Sequence, residues 1–222
     1  SLVLNEAGMQ LLPAEVQQIY DYTNGNPRLL DLVVTLLAYG TPVDELRNEI
    51  GTSLPLQFFL NKIFLRLNID EANLLRTLSV FRSTAPGDLW QKQENLNDAL
   101  SQLTHKRLIT VYAHGGVAVM PAYRDIIYDM LTPETLQTLH KLVAGIWIVR
   151  AAYTSAAYHL IQSGQSELAV LQWREHQQQE INQGQAYVAY ELFHNLDTMA
   201  LSQQVREQHS LLCAELARLI GN

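Results

Sequence analysis

The 222-residue chain has a single cysteine and few basic residues, with 15 lysines and arginines against 22 aspartates and glutamates. One thiol excludes an internal disulfide framework and any metal site built from several cysteines. Cys213 lies in an apolar stretch, so we expect it to be a small buried core residue. With a net charge of −7 and scattered basic residues, the composition argues against a nucleic-acid-binding domain, which carries a clustered basic face.

Long apolar runs are also lacking. The chain has no run of about 18 apolar residues, which argues against a membrane-spanning helix. No basic region leads into an apolar run near Ser1, as it would in a signal peptide. We therefore expect a cytoplasmic protein with no membrane partner. The first four residues predict a short strand without a nearby partner, and the chain ends abruptly at Asn222, so we also expect a fragment of a larger protein.

The motifs of common catalytic sites are missing. There is no Gly-rich phosphate loop of the Walker type and no G-x-S-x-G nucleophile elbow. None of the seven histidines lies four residues from another, as a helical metal site would require. Acidic pairs such as Asp70-Glu71 fall in the first turns of predicted helices, where their negative charge interacts favourably with the helix dipole. We therefore predict no catalytic residue, no metal and no enzymatic activity.

Helical signals dominate residues 1–52. The spacing of apolar residues predicts helices from Pro13 to Thr23, from Pro27 to about Tyr39, and from Thr41-Pro42 to about Ile50. The second helix is apolar on nearly every side and should be buried. Asn26 suits its N-cap and Pro27 its first position. Taken alone, this segment is explained as a capped core helix.

A different pattern covers residues 53–150, beyond a boundary at Gly51 to Pro55. Four helices are predicted first: Leu56–Leu67, one capped by Asp70, a short one at Asp88–Gln91, and Asn95–His105. Residues 107–112 and 117–120 then predict a hairpin around His114-Gly115-Gly116, since tight hairpin turns require positive φ. Helices follow from about Tyr123 and from Thr132-Pro133. This order is that of a winged-helix domain.

Residues 151–222 are predicted to be entirely helical. Two similar turns centre on Gly164 and Gly184, and the helices between them carry apolar residues at helical spacing. The pattern resembles a tetratricopeptide-like repeat, in which antiparallel helix pairs stack on one another. The overall fold class is therefore mainly α: a helical bundle, a winged helix with one β-hairpin, and a helical repeat.

The predicted recognition helix of the winged-helix domain does not suit DNA. Glu94 and Asp98 lie near its start, where a major-groove reader makes its base contacts, while Lys106 and Arg107 lie at its far end. The turn of the hairpin carries no lysine or arginine. These features argue against DNA binding by this domain.

The segment Asn24-Gly25-Asn26-Pro27 resembles the "GNPLAL" signature in the helical lid of STAND-type P-loop ATPases, the signal-transduction relatives of AAA+ proteins. Residues 119–126 resemble the "(M/L)HPLxRDY" or "MHD" segment of that family. The order of elements along essentially the whole chain is similar to the C-terminal half of the family. It runs from the last strand of the ATPase core through the lid, the winged helix and the repeats.

The resemblance implies a nucleotide-linked site at Gly25, Asn26, Pro27, Arg28 and Met120. The family's proline packs beside the adenine of ATP or ADP, so Pro27 would contact a nucleotide held by a P-loop core absent from this chain. Arg28 stands where the family has leucine, and could reach phosphate or lie on the surface. Met120 replaces the family's phosphate-sensing histidine and cannot donate the same hydrogen bond, which implies a degenerate or differently regulated member.

The expected function is that of a regulatory fragment of a STAND-type ATPase. The lid and winged helix would gate nucleotide-dependent switching and homo-oligomerisation, while the repeats would sense a protein partner. The fragment by itself would hold no cofactor. Two alternatives remain: a winged-helix transcription regulator that binds DNA, and a helical adaptor that binds only proteins.

Overall fold

A computed structural model describes residues 12–23, 25–38, 40–41, 56–91 and 94–221. The chain forms two compact units, Ser1–Met130 and Leu131–Asn222, each of which is described by itself. Within the described ranges the protein is mainly helical, with thirteen helices and one small antiparallel sheet. The prediction of a mainly α protein is confirmed at this level.

The described part of the first unit contains seven helices and three strands. Its helices are α1 (Pro13–Thr23), α2 (Pro27–Ala38), α3 (Leu56–Phe64), α4 (Ile69–Ser79), α5 (Asp88–Gln91), α6 (Glu94–His105) and α7 (Pro121–Asp129). Its strands are β1 (Ala85–Pro86), β2 (Ile109–Val111) and β3 (Gly116–Val119).

Helix α2 is a core helix, as its composition predicts. Residues 32–36 are all buried, at no more than 3% exposure, and α2 packs against α1 and α3. Burial of such an apolar segment removes it from water and stabilises the bundle. The predicted strand at residues 1–4, the helix after Thr41 and the boundary at 51–55 lie outside the described residues.

Helix α4 is capped by Asn68, so the prediction that Asp70 caps it is wrong. The Asn68 side chain accepts a hydrogen bond from the Glu71 backbone N–H, and the Glu71 side chain accepts one from the Asn68 N–H. This reciprocal pair is a capping box, which satisfies two amides at the helix start. Asp70 lies one position inside the helix, in its first turn.

The sheet has the strand order β1-β3-β2, and both strand pairs are antiparallel. The predicted hairpin is present, with Val111 opposite Val117, but Gly116 belongs to strand β3 and not to the turn. Strand β1 was not expected from the sequence. It contains only two residues and ends in Pro86, which has no N–H to donate and is therefore suited to a sheet edge.

The described part of the second unit consists of six helices. They are α8 (Pro133–Val149), α9 (Tyr153–Gln162), α10 (Ser166–Glu175), α11 (Gln177–Asn182), α12 (Ala186–His194) and α13 (Gln203–Ile220). The start of α8 is as predicted, with the Thr132 side chain accepting a hydrogen bond from the Thr135 N–H. Helix α8 packs on α9, α9 on α10, and α12 on α13.

The second unit has a continuous apolar core around Trp173 and Phe193, whose rings meet edge to face. Its two predicted turns are present, with Gly164 and Gly184 at φ +77° and +78°. A side chain at either position would be strained in this left-handed conformation, which explains the choice of glycine. Leu168 and Leu171 face outward, at 45% and 42% exposure.

The boundary between the two units lies between Met130 and Leu131, so α8 belongs to the second unit. The domains predicted from the sequence, at 1–52, 53–150 and 151–222, instead assign α8 to the middle one. That three-part division stays a prediction.

Candidate functional site

The turn at residues 25–27 ends α1 and begins α2. Gly25 has φ +68°, and a side chain there would also meet the Tyr20 ring. The Asn26 side chain accepts a hydrogen bond from the Leu29 N–H at 3.4 Å, as an N-cap does. Pro27 is the first residue of α2 and is exposed. Arg28 follows it as the second residue of the helix. The predicted cap is therefore confirmed, and it presents the Pro27 ring to solvent.

Met120 lies at a different junction, between β3 and α7. It occupies the N-cap position of α7 without a side-chain cap bond, and its backbone N–H donates to the Leu108 carbonyl. The Thr110 hydroxyl donates to the Met120 sulfur at 3.0 Å. Met120 is thus held by groups of its own sheet, in the place where the family resemblance puts a phosphate-sensing histidine.

The Arg124-Asp125 pair of the same motif sits in the first half of α7. Its closest N–O distance is 3.6 Å, with the Asp125 side chain 84% exposed, so solvent screens the attraction. The Arg124 Nε atom is buried and has no hydrogen-bond partner in the described part of the chain. The geometry makes this pair a weak surface contact.

Helix α6, the predicted recognition helix, is followed by Lys106, which is engaged inside the protein. The Lys106 ammonium donates to the Glu71 carboxylate at 2.6 Å, and their side chains are only 16% and 3% exposed. Glu71 thereby serves both the α4 cap and this ion pair, a link that sequence spacing did not suggest. Glu94 and Asp98 are exposed near the start of α6. This arrangement offers negative charge where a DNA phosphate would approach.

The hairpin turn between β2 and β3 carries an exposed ring pair. Tyr112 stacks on His114 with ring centroids 5.5 Å apart. Gly115 takes φ +81° beside them, and its carbonyl accepts a hydrogen bond from the Gly87 N–H at 3.0 Å. That bond ties the turn to the residue that follows β1.

The second unit buries two histidines against each other, although they are 19 residues apart in sequence. His140 on α8 and His159 on α9 are each 1% exposed, and their Nδ1 atoms are 2.8 Å apart. Burial lowers the pKa of His140. The two histidines share no local sequence pattern, and only the packing of α8 on α9 brings them together.

Glu180 is a further buried ionisable group of the second unit, at 1% exposure. Its carboxylate accepts hydrogen bonds from the backbone N–H groups of Tyr153 and Thr154, at 2.8 and 3.0 Å, and from the Thr154 hydroxyl. The Trp173 indole N–H donates to the same hydroxyl. These bonds satisfy the backbone N–H groups at the start of α9, so the Glu180 carboxylate is engaged in holding the structure together.

Cys213 is half-buried beside His209. Its sulfur lies 3.5 Å from His209 Nε2, which is also within 2.8 Å of the Phe193 carbonyl. Burial raises the pKa of the Cys213 thiol, so the reactive thiolate is disfavoured. The residue packs against the core but is only partly buried, so the prediction of a small buried core residue is confirmed only in part.

Within the described ranges, no group of three or more histidine, cysteine or acidic side chains could hold a metal ion. No helix in those same ranges combines the length and the apolar character needed to cross a bilayer.

The chain matches no family model, no curated protein and no solved structure. Its function must therefore be argued from its own residues.

Proposed function

We propose that the chain is a non-catalytic regulatory segment of a STAND-type ATPase. In this proposal residues 1–52 form the end of the ATPase core strand and the helical lid. Residues 53–150 form a winged helix, and residues 151–222 form tetratricopeptide-like repeats. Nucleotide held by a P-loop core elsewhere in the parent protein keeps the lid and winged helix closed. A signal received by the repeats then releases the lid and winged helix, and the protein oligomerises. The nucleotide site and the repeats thus both bias the equilibrium between a closed and an open state.

The order of strands in the first unit carries the proposal. A winged helix runs from a helix to a short strand, two further helices and a hairpin, with the short strand added to the hairpin's edge. The chain follows this order from α4 through β1, α5 and α6 to β2 and β3, and its sheet is arranged β1-β3-β2. Strand β1, which was not predicted from the sequence, is the third strand that a winged-helix sheet has beside the two strands of its hairpin.

The turn before α2 supports the nucleotide contact. Asn26 uses its side chain to cap the helix, while the exposed Pro27 ring offers a rigid apolar surface at the helix N-terminus. Such a surface suits the flat face of an adenine. Met120 is compatible with a position that no longer senses phosphate, because its sulfur accepts a hydrogen bond from the Thr110 hydroxyl of the same protein.

The second unit supports a protein partner. Several large apolar side chains on α10, α12 and α13 are 40–61% exposed: Leu168, Leu171, Tyr187, Val188, Leu211 and Leu219. Contiguous exposed apolar surface marks contacts between proteins, and these residues are the candidates for such a contact. This same observation favours the adaptor as the second candidate, in which the chain binds proteins without any nucleotide control.

The transcription-regulator alternative is disfavoured by the Lys106–Glu71 pair. A phosphate-binding cation must be available to the nucleic-acid backbone. Lys106 is instead held by a buried carboxylate at 2.6 Å.

The test of the proposal is the Pro27→Ala change in the full-length parent protein. Loss of part of the ring should remove about 1 kcal/mol of apolar contact with adenine, and so raise the ADP dissociation constant about fivefold. Pro133→Ala is the matched control, since Pro133 is also the first residue of a helix. A titration with fluorescent ADP measures both variants. Equal ADP affinity of the Pro27→Ala variant and the wild type would contradict the nucleotide contact.

A further inference from the structure

The buried pair His140 and His159 joins the first two helices of the second unit. The two rings are tilted by 36° with centroids 5.1 Å apart, and the Nδ1 atoms face each other at 2.8 Å. Both residues are 1% exposed. A contact this short between two ring nitrogens is a hydrogen bond, in which one Nδ1–H donates and the other Nδ1 accepts.

The geometry limits how many protons the pair can hold. A single proton fits between the facing nitrogens, so at most one ring can carry Nδ1–H while the bond exists. When both rings are protonated, each nitrogen carries a hydrogen and the two point at each other. The doubly charged pair therefore loses its bond and also places two like charges in a desolvated site.

The helices that pack around the pair carry several ionisable side chains, whose positions the structure describes. The Tyr158 ring meets both histidine rings edge to face. Lys141, on α8, is exposed. The charged residues on the helices packed against α9 are exposed or bound elsewhere: Glu167 to the Ser202 N–H, Arg174 to the Gln208 carbonyl, and Glu175 and Glu191 toward solvent. Glu180 is bound to the first residues of α9.

We propose that the His140–His159 pair is an acid-sensitive contact between α8 and α9. It holds the two helices together while neutral, and it opens the start of the second unit when both rings are protonated. The proposal does not depend on the proposed function.

The direction of the pH effect follows from proton linkage. The folded pair takes up its second proton less readily than the unfolded chain, in which each histidine has an ordinary pKa of about 6.5. Burial lowers the pKa of His140 in the folded state, which agrees with this direction. The stability contribution is therefore fully present above about pH 6.5 and is lost as the pH falls below that value.

The first experiment compares urea unfolding at pH 7.5 and pH 5.5 for the wild type and for His140→Leu/His159→Leu. Leucine is close to histidine in size and does not titrate. The control is His194→Gln, because His194 is exposed and lies in the same unit. Below the pKa of the unfolded chain, the ratio of unfolded to folded protein should rise about tenfold for each pH unit and each proton taken up on unfolding. This rise is expected in the wild type and in the control. The double variant should lose this part of the pH dependence.

A second measurement covers the case in which the double variant does not fold. Amide hydrogen exchange of the wild-type chain, corrected for intrinsic rates, is followed by mass spectrometry at both pH values. Peptides from α8 and α9 should lose protection at pH 5.5 by a larger factor than peptides from α13. Equal changes in the three helices, or equal pH dependence of the double variant and the wild type, would overturn the proposal.

Discussion

Glu180 and Thr154 are joined across 26 residues of chain, with the Glu180 carboxylate accepting bonds from both the backbone N–H and the hydroxyl of Thr154. Helix α9 has no side-chain cap of its own, because its N-cap residue is Ala152. The buried carboxylate from α11 takes over that role and places a negative charge at the positive end of the helix. It thereby fixes α11 against the start of α9.

Replacing Glu180 by glutamine tests this capping role. Glutamine can still accept hydrogen bonds but lacks the charge, so the second unit should lose about 1–3 kcal/mol of unfolding free energy. Urea unfolding followed by circular dichroism measures the loss. Glu191→Gln is the control, since Glu191 is an exposed residue of α12, and it should change little. Similar small effects of the two changes would show that the cap contributes little.

The hairpin turn and β1 meet at Gly87, where an added Cβ would lie 2.1 Å from the Gly115 carbonyl oxygen. Gly87→Ala should therefore force the backbone apart and destabilise the first unit by about 1–3 kcal/mol. Gly145→Ala is a useful contrast because Gly145 lies in a helix with open space around it. That change should stabilise the second unit by up to about 1 kcal/mol. Thermal unfolding of both variants measures the two effects. A Gly87→Ala variant as stable as the wild type would contradict the close approach.

The Lys106–Glu71 pair should respond asymmetrically to mutation. Lys106→Met leaves a buried carboxylate without its cation and should cost about 2–3 kcal/mol of stability. The double variant Glu71→Gln/Lys106→Met should recover part of this loss, because glutamine carries no charge and can still accept the Asn68 N–H bond. A double-mutant cycle measured by urea unfolding gives the coupling free energy. Additive effects of the two changes would show that the pair is not coupled.

The same pair leads to a prediction about DNA. With Lys106 engaged and acidic residues at the start of α6, the chain should not shift a DNA duplex in a gel, even at low salt. Phosphate contacts would make any binding strongly salt-dependent. Tight binding that weakens steeply with added salt would favour the transcription-regulator alternative.

Local signals in the sequence were sufficient for most helices. The bounds of α1 and α5 agree with the prediction, because proline and the apolar spacing mark a helix within a few residues. The Asn26 cap was predictable for the same reason. The cap of α4 is Asn68 and not Asp70, because both residue types suit an N-cap and only Ile69 separates the two positions.

Contacts between distant residues were not predictable from one sequence. Strand β1 has two residues and forms only because the hairpin lies beside it. The Lys106–Glu71 and His140–His159 pairs join residues 35 and 19 positions apart, and their members carry no local pattern that indicates the partner. Each depends on how two helices pack, which periodicity alone does not specify.

The proposal that the turn at Pro27 belongs to an ATPase lid is tested most directly by sequencing the transcript that encodes this chain. If the chain is a regulatory segment of a STAND-type ATPase, the reading frame upstream of Ser1 should encode a G-x-x-x-x-G-K-[ST] phosphate loop. That loop should lie within about 200 residues, the length of one large domain. A reading frame that begins at this chain, or an upstream region without such a loop, would contradict the proposed function.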